Sequence, residues 1–137
     1  MTSRIKMSNP KGLSKPAGTY SHVARAQAGE LLFIAGQVAV DANGKIVGAG
    51  DFNAQTRQVF RNLLTALESA GAGYRNVAQF TTYLVNSRDI AKLRAFRERY
   101  YPKFFPDGQY PPNTLLVVDR LASEEMLLEI AAIAVLD

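Results

Sequence analysis

One acid stands inside the most apolar stretch of the chain. Leu127 to Leu136 is hydrophobic on both of its alternating faces apart from Glu129. A carboxylate that loses water without gaining a partner has its pKa raised, which suits a general acid or a group that orients water. The plainer alternative is that Glu129 pairs with an arginine of a neighbouring subunit and holds an oligomer together. Ala35-Gly36-Gln37 closes a second apolar run, where a glycine lets a ligand approach the backbone amides or serves a bulge. Tyr20 follows Gly18 at the start of a strand, so its hydroxyl either reaches a cleft or stays on the surface.

Other chemistries are excluded by composition. The chain has no cysteine, which removes disulfides, cysteine-based zinc sites and thiol nucleophiles. His22 is the only histidine, so a His-rich metal site within one subunit is excluded, and nothing else points to a serine triad built on it. Gly48 and Gly50 form a Gly-x-Gly pattern without a third glycine, which is neither a dinucleotide nor a phosphate loop. No motif implies a metal or a cofactor.

Sixteen Lys+Arg against twelve Asp+Glu give a net charge of +4 and a pI near 9.5. The one concentration of bases is Arg88, Lys92, Arg94, Arg97, Arg99 and Lys103, facing only Asp89 and Glu98. A basic helix can be an electrostatic footprint for phosphate, but such a helix is more often simply solvated. Nucleic acid is not the expected partner.

These residues need a scaffold, and 137 residues at 47% hydrophobic fit one domain, 1–137, since domains commonly run about 100–150 residues. No apolar run reaches the roughly 18 residues that cross a bilayer, and the polar Met1 to Gly18 lacks the apolar core of a secretory signal. A soluble, cytoplasmic protein is therefore expected, with no membrane partner. Met1 to Thr19 reads as an arm laid over the domain. Tyr20 to Gln27 and Glu30 to Val38 read as strands, the second covered on both faces because it is continuously apolar. Asp41-Ala-Asn-Gly44 is turn chemistry, with a short strand from Lys45 to Val47 after it.

Asp51 or Asn53 caps a first helix that ends near Gly71, with Thr56, Phe60, Leu63, Leu64, Leu67 and Ala70 at helical spacing. Asn76 to Val85 is a strand, and a second helix starts near Ser87 or Asp89 and ends before Pro102. Four prolines between Pro102 and Pro112 predict a long loop. Thr114 to Asp119 and Leu127 to Leu136 complete the strands. The order is an α+β two-layer domain, one mixed sheet with both helices on one face. The other sheet face needs a cover, so a homo-oligomer is expected.

Tyr20-Ser21, Phe33-Ile-Ala-Gly-Gln37, and Gln55-Thr-Arg-Gln58 with Asn62-Leu63 together resemble the RidA/YjgF family. The likeness extends through Val77 to Leu84, Asp89-Ile-Ala-Lys-Leu-Arg94, Pro111-Pro-Asn-Thr114 and Leu128 to Ala134, nearly all of the chain from Gly18 onward. It implies a chorismate-mutase-like fold, a homotrimer with an inner barrel, and ligand clefts between adjacent subunits. It also implies hydrolysis of reactive enamines and imines to 2-keto acids and ammonia. That chemistry needs a clamp for the substrate carboxylate, a positioned water and a group that manages its proton.

Carried over from the family, the cleft tyrosine is Tyr20, the glycine backbone is Gly36 beside Ala35, and the water-aligning glutamate is Glu129, the catalytic candidate. The family's carboxylate-binding arginine is replaced by Asn113, which supplies neither charge nor a bidentate fork. Losing one charge-assisted pair in a sheltered cleft costs about 2–4 kcal/mol. The family's cleft-facing asparagine is replaced by Arg94, as if arginine and asparagine had exchanged places, so Arg94 is expected to bring the charge from the opposite wall. Two functions follow: an imine or enamine deaminase-like hydrolase acting on a small carboxylate or imine, and a non-catalytic, ligand-binding or regulatory trimer. Some family members are described as ribonucleases, a reading that only the basic helix supports here.

Overall fold

The computed structural model describes residues 4–27 and 29–137. In chain order the elements are β1 (Ile5–Ser8), β2 (Val23–Ala26), β3 (Leu31–Gln37), α1 (Phe52–Glu68), β4 (Val77–Leu84), α2 (Asp89–Phe104), β5 (Asn113–Val117) and β6 (Leu128–Val135). A single 3-10 turn, Tyr74–Asn76, leads into β4.

The main sheet runs β3-β6-β4-β5, with β6 antiparallel to both neighbours and β4 parallel to β5. A parallel pair needs a crossover, and α2 supplies it. Along β6 the period of two sorts the side chains: Leu128, Ile130, Ala132 and Ala134 are buried, while Glu129, Ala131 and Ile133 are half-buried on the opposite face. β4 sorts likewise, with Phe80, Thr82 and Leu84 buried.

Both helices lie over the buried face. Asp51 caps α1, its Oδ1 accepting from Ala54 N at 3.0 Å, and the helix closes through Gly71 at φ +74°. Phe52, Thr56, Val59, Phe60, Leu63 and Leu67 form its buried stripe. Phe60 stacks on Phe96 of α2 at 5.3 Å between ring centroids, and Tyr74 on Phe104 at 4.4 Å. The expected α+β layering with a mixed sheet is the observed one.

Four boundaries differ from expectation. The stretch read as an arm contains β1, which pairs antiparallel with β2 and buries Ile5; four residues of alternation between lysines are too few to show a strand in sequence. These two strands form their own small sheet. β2 starts at Val23 because Tyr20 and Ser21 leave a turn in which Tyr20 N donates to Gly18 O at 3.0 Å. The expected strand at Lys45 to Val47 is only a bridge between Val40 and Ile46. Finally, α2 continues through Pro102 to Phe104. Proline there removes one hydrogen bond near the helix end, and the burial of Tyr101 and the stacking of Phe104 outweigh that loss.

The second sheet face is open in the single chain. Phe33 is 70% exposed and Leu31 53%, so the covering expected over β3 does not come from its own helices. Among the described residues no helix is long and apolar enough to cross a membrane.

Candidate active site

Two sets of residues stand out, one on each face of the sheet. On the helix side, the loop 17–20, the first half of α2 and the start of β5 enclose a pocket of about 260 Å³. The geometry follows from the periods. Ile90, Leu93, Arg94 and Arg97 recur at helical spacing along one flank of α2, and the parallel register sets Asn113 beside Phe80 on the helix-facing side. Tyr20 closes the pocket from the loop, its hydroxyl accepting from Ala17 N at 3.4 Å and its ring meeting His22 edge-on at 5.7 Å. Arg94 is exposed at the rim.

Behind the rim lies a network that the sequence did not single out. Thr82 Oγ1 donates to Asn113 Oδ1 at 2.7 Å, and Arg97 Nη2 donates to both Thr82 Oγ1 and Asn113 Oδ1 at 3.1 Å. Arg97 is only 7% exposed, forms no ion pair with a described residue, and its buried Nε has no hydrogen bond. Its guanidinium lies 5.6 Å from the centre of the Tyr101 ring. Burial pushes the Tyr101 hydroxyl above its ordinary pKa, and the nearby Arg97 charge opposes that rise. Arg97 was readable only as one base among six. Its position four residues after Leu93 and seven after Ile90, on the apolar flank, was the available signal.

On the open face, Glu129 stands opposite Tyr83 in the β4–β6 ladder. The register of β3 against β6 shifts between Ile34 and Gln37, so Gly36 sits in a bulge, and a Cβ on it would lie 2.6 Å from Glu129 Cδ. The absence of a side chain at Gly36 leaves the space that the Glu129 carboxylate occupies over the bulge. Ala35 is exposed beside them, and no described residue hydrogen-bonds or ion-pairs with Glu129.

The ends of these strands are fixed from α1. Gln55, fully buried, donates to Glu125 O at 2.8 Å and accepts from Leu127 N at 2.9 Å, which anchors the entry to β6 two residues before Glu129. Asn62 Nδ2 donates to Val38 O and Val40 O, which fixes the exit from β3 just after Gly36. Tyr20, Arg94 and Asn113 therefore come together, as do Ala35, Gly36 and Glu129. The two groups face opposite sides of one sheet.

The chain matches the family model described as Endoribonuclease L-PSP over residues 12–136. It is 38% identical over 120 residues to a RutC family protein of Pyrococcus horikoshii, covering 88% of this chain and 89% of that one. It is 30% identical over 125 residues to the 3-aminoacrylate deaminase RutC of Acinetobacter baylyi, covering 91% and 93%. In structure it is similar to YyfB of Yersinia pestis, a Rid family protein, with a TM-score of 0.85, 36% identity, and coverage of 97% and 99%. On sequence and fold together, the chain belongs to the RidA/YjgF family.

Proposed function

We propose that this protein hydrolyses small imines or enamines that carry a carboxylate, in clefts formed between copies of a homotrimer. The observation that carries the reading is the separation of the two residue groups. A cleft that uses both the Tyr20–Arg94–Asn113 pocket and the Gly36–Glu129 pair draws them from two adjacent chains, because within one chain they face opposite ways. The open sheet face, with Phe33 and Leu116 exposed, is the surface such an assembly covers.

In this reading Arg94 and the Asn113 amide hold the substrate carboxylate, and Tyr20 shapes the wall. Glu129 of the adjacent copy takes a proton as water adds to the C=N carbon. The proton returns to nitrogen, the C–N bond breaks, and a keto acid and ammonia leave; water supplies the oxygen, and no oxidant is consumed. The deaminase activity in the name of the Acinetobacter relative is of this class.

The test is hydrolysis of 2-iminobutanoate generated in solution. Acceleration is expected, with Glu129→Ala lowering the rate about a hundredfold and Arg94→Ala raising the KM about tenfold. A correctly folded trimer that does not accelerate the reaction overturns hydrolysis and leaves the ligand-binding reading.

A further inference from the structure

The inner wall of the pocket is held as a hydrogen-bond donor. A guanidinium has donors and no acceptor, so the Asn113 atom that faces Arg97 is the oxygen. Thr82 reinforces this assignment. Its hydroxyl accepts from Arg97 and directs its own proton to the same Asn113 oxygen. The Nδ2 end of Asn113 is therefore the end left for the pocket that Asn113 lines. Arg97 itself is more than nine-tenths buried, bonded only to neutral side-chain oxygens, with its Nε unpartnered. A buried charge without a counter-charge is unfavourable, and that cost falls when an anion arrives beside it. No carboxylate lines this pocket among the described residues.

We infer that Arg97 is the positioning residue that makes this pocket select an anion. It fixes the Asn113 amide as a donor and sets a positive potential from behind, while Asn113 and Arg94 touch the ligand. Asn113 is then not simply the loss of a charge at the wall, since the charge has moved one layer inward onto α2. The inference rests on the carboxylate reading above and deepens it, because it names the residue that sets the charge preference.

The experiment titrates the assembled protein with 2-oxobutanoate and, separately, with its neutral counterpart 2-oxobutanamide, following the Asn113 side-chain amide by NMR. The wild type is expected to prefer the carboxylate about thirtyfold, and Arg97→Met to reduce that preference to about threefold or less. The ratio of the two affinities is the readout that a mere packing role would not move. Should Arg97→Met fail to fold, Arg97→Gln provides the second arm. It keeps an amide donor toward Asn113 and Thr82 without the charge, and is expected to reduce the carboxylate preference to the same extent. A preference unchanged in a folded variant overturns the role of Arg97 and leaves the carboxylate reading standing. A wild type with no preference overturns both.

Discussion

Glycine at position 36 leaves room for the Glu129 side chain, which can be tested directly. A Cβ there displaces the end of a flexible glutamate rather than backbone, and Gly36 does not lie in the left-handed region, so Gly36→Ala should fold. The displaced Glu129 should then lower imine hydrolysis about tenfold or more, while the thermal midpoint stays within a few degrees. Placing an arginine at position 113 should fail for the opposite reason. Asn113→Arg sets a second guanidinium against the buried Arg97 and is expected to lower stability by about 1–3 kcal/mol, read by denaturant unfolding. Combining it with Arg97→Met should recover part of that loss, a favourable coupling in a double-mutant cycle. Glu129 and Gly36 were legible in sequence because an acid in an apolar strand and a glycine at the end of one break local patterns. Arg97 was not, because a base among five others looks solvated until the packing of α2 buries it.

At the scale of elements, α2 combines a binding flank with an aromatic one. The Tyr74 hydroxyl donates to Phe60 O at 2.6 Å, and burial pushes its pKa well above the ordinary value, as it does for Tyr101. Both are held neutral in the folded chain and ionise more easily once unfolded. Their contribution to stability is complete below about pH 10 and is lost as the pH rises beyond it toward their folded values. Thermal midpoints measured from pH 8 to 11.5 should therefore fall steeply at the alkaline end, and Tyr74→Phe should flatten the slope. At pH 7 Tyr74→Phe should cost about 1 kcal/mol for the lost hydrogen bond to a helix carbonyl, whereas Tyr101→Phe, whose hydroxyl has no hydrogen bond, should change stability by less than about 0.5 kcal/mol. The helices and long strands were legible because Asp51, Gly71 and the alternation along β6 are local signals. β1 and the last turn of α2 were not. Ile5 earns its strand only by pairing with Ala26, and Pro102 stays helical only because the aromatics around it pack.

At the scale of the whole molecule, the open face of the sheet and the split site make one claim: the working unit is more than one chain. Sequence showed that β6 is apolar on both faces, and so that something must cover the second, but the identity of the cover is a property of assembly rather than of one chain. Phe33→Asp, placing a charge at the most exposed large apolar side chain among the described residues, should convert the proposed trimer to monomers in light scattering and abolish hydrolysis with it. The most direct test of the composite cleft is complementation. Glu129→Ala chains, about a hundredfold slower, and Arg94→Ala chains, about tenfold lower in kcat/KM, are co-expressed, purified as mixed assemblies and assayed below the KM. Since a competent cleft then needs the pocket of one variant beside the glutamate of the other, random mixing should restore about a quarter of wild-type hydrolysis. Mixed assemblies no more active than the two variants measured separately would contradict the account, because both groups would then have to act within a single chain.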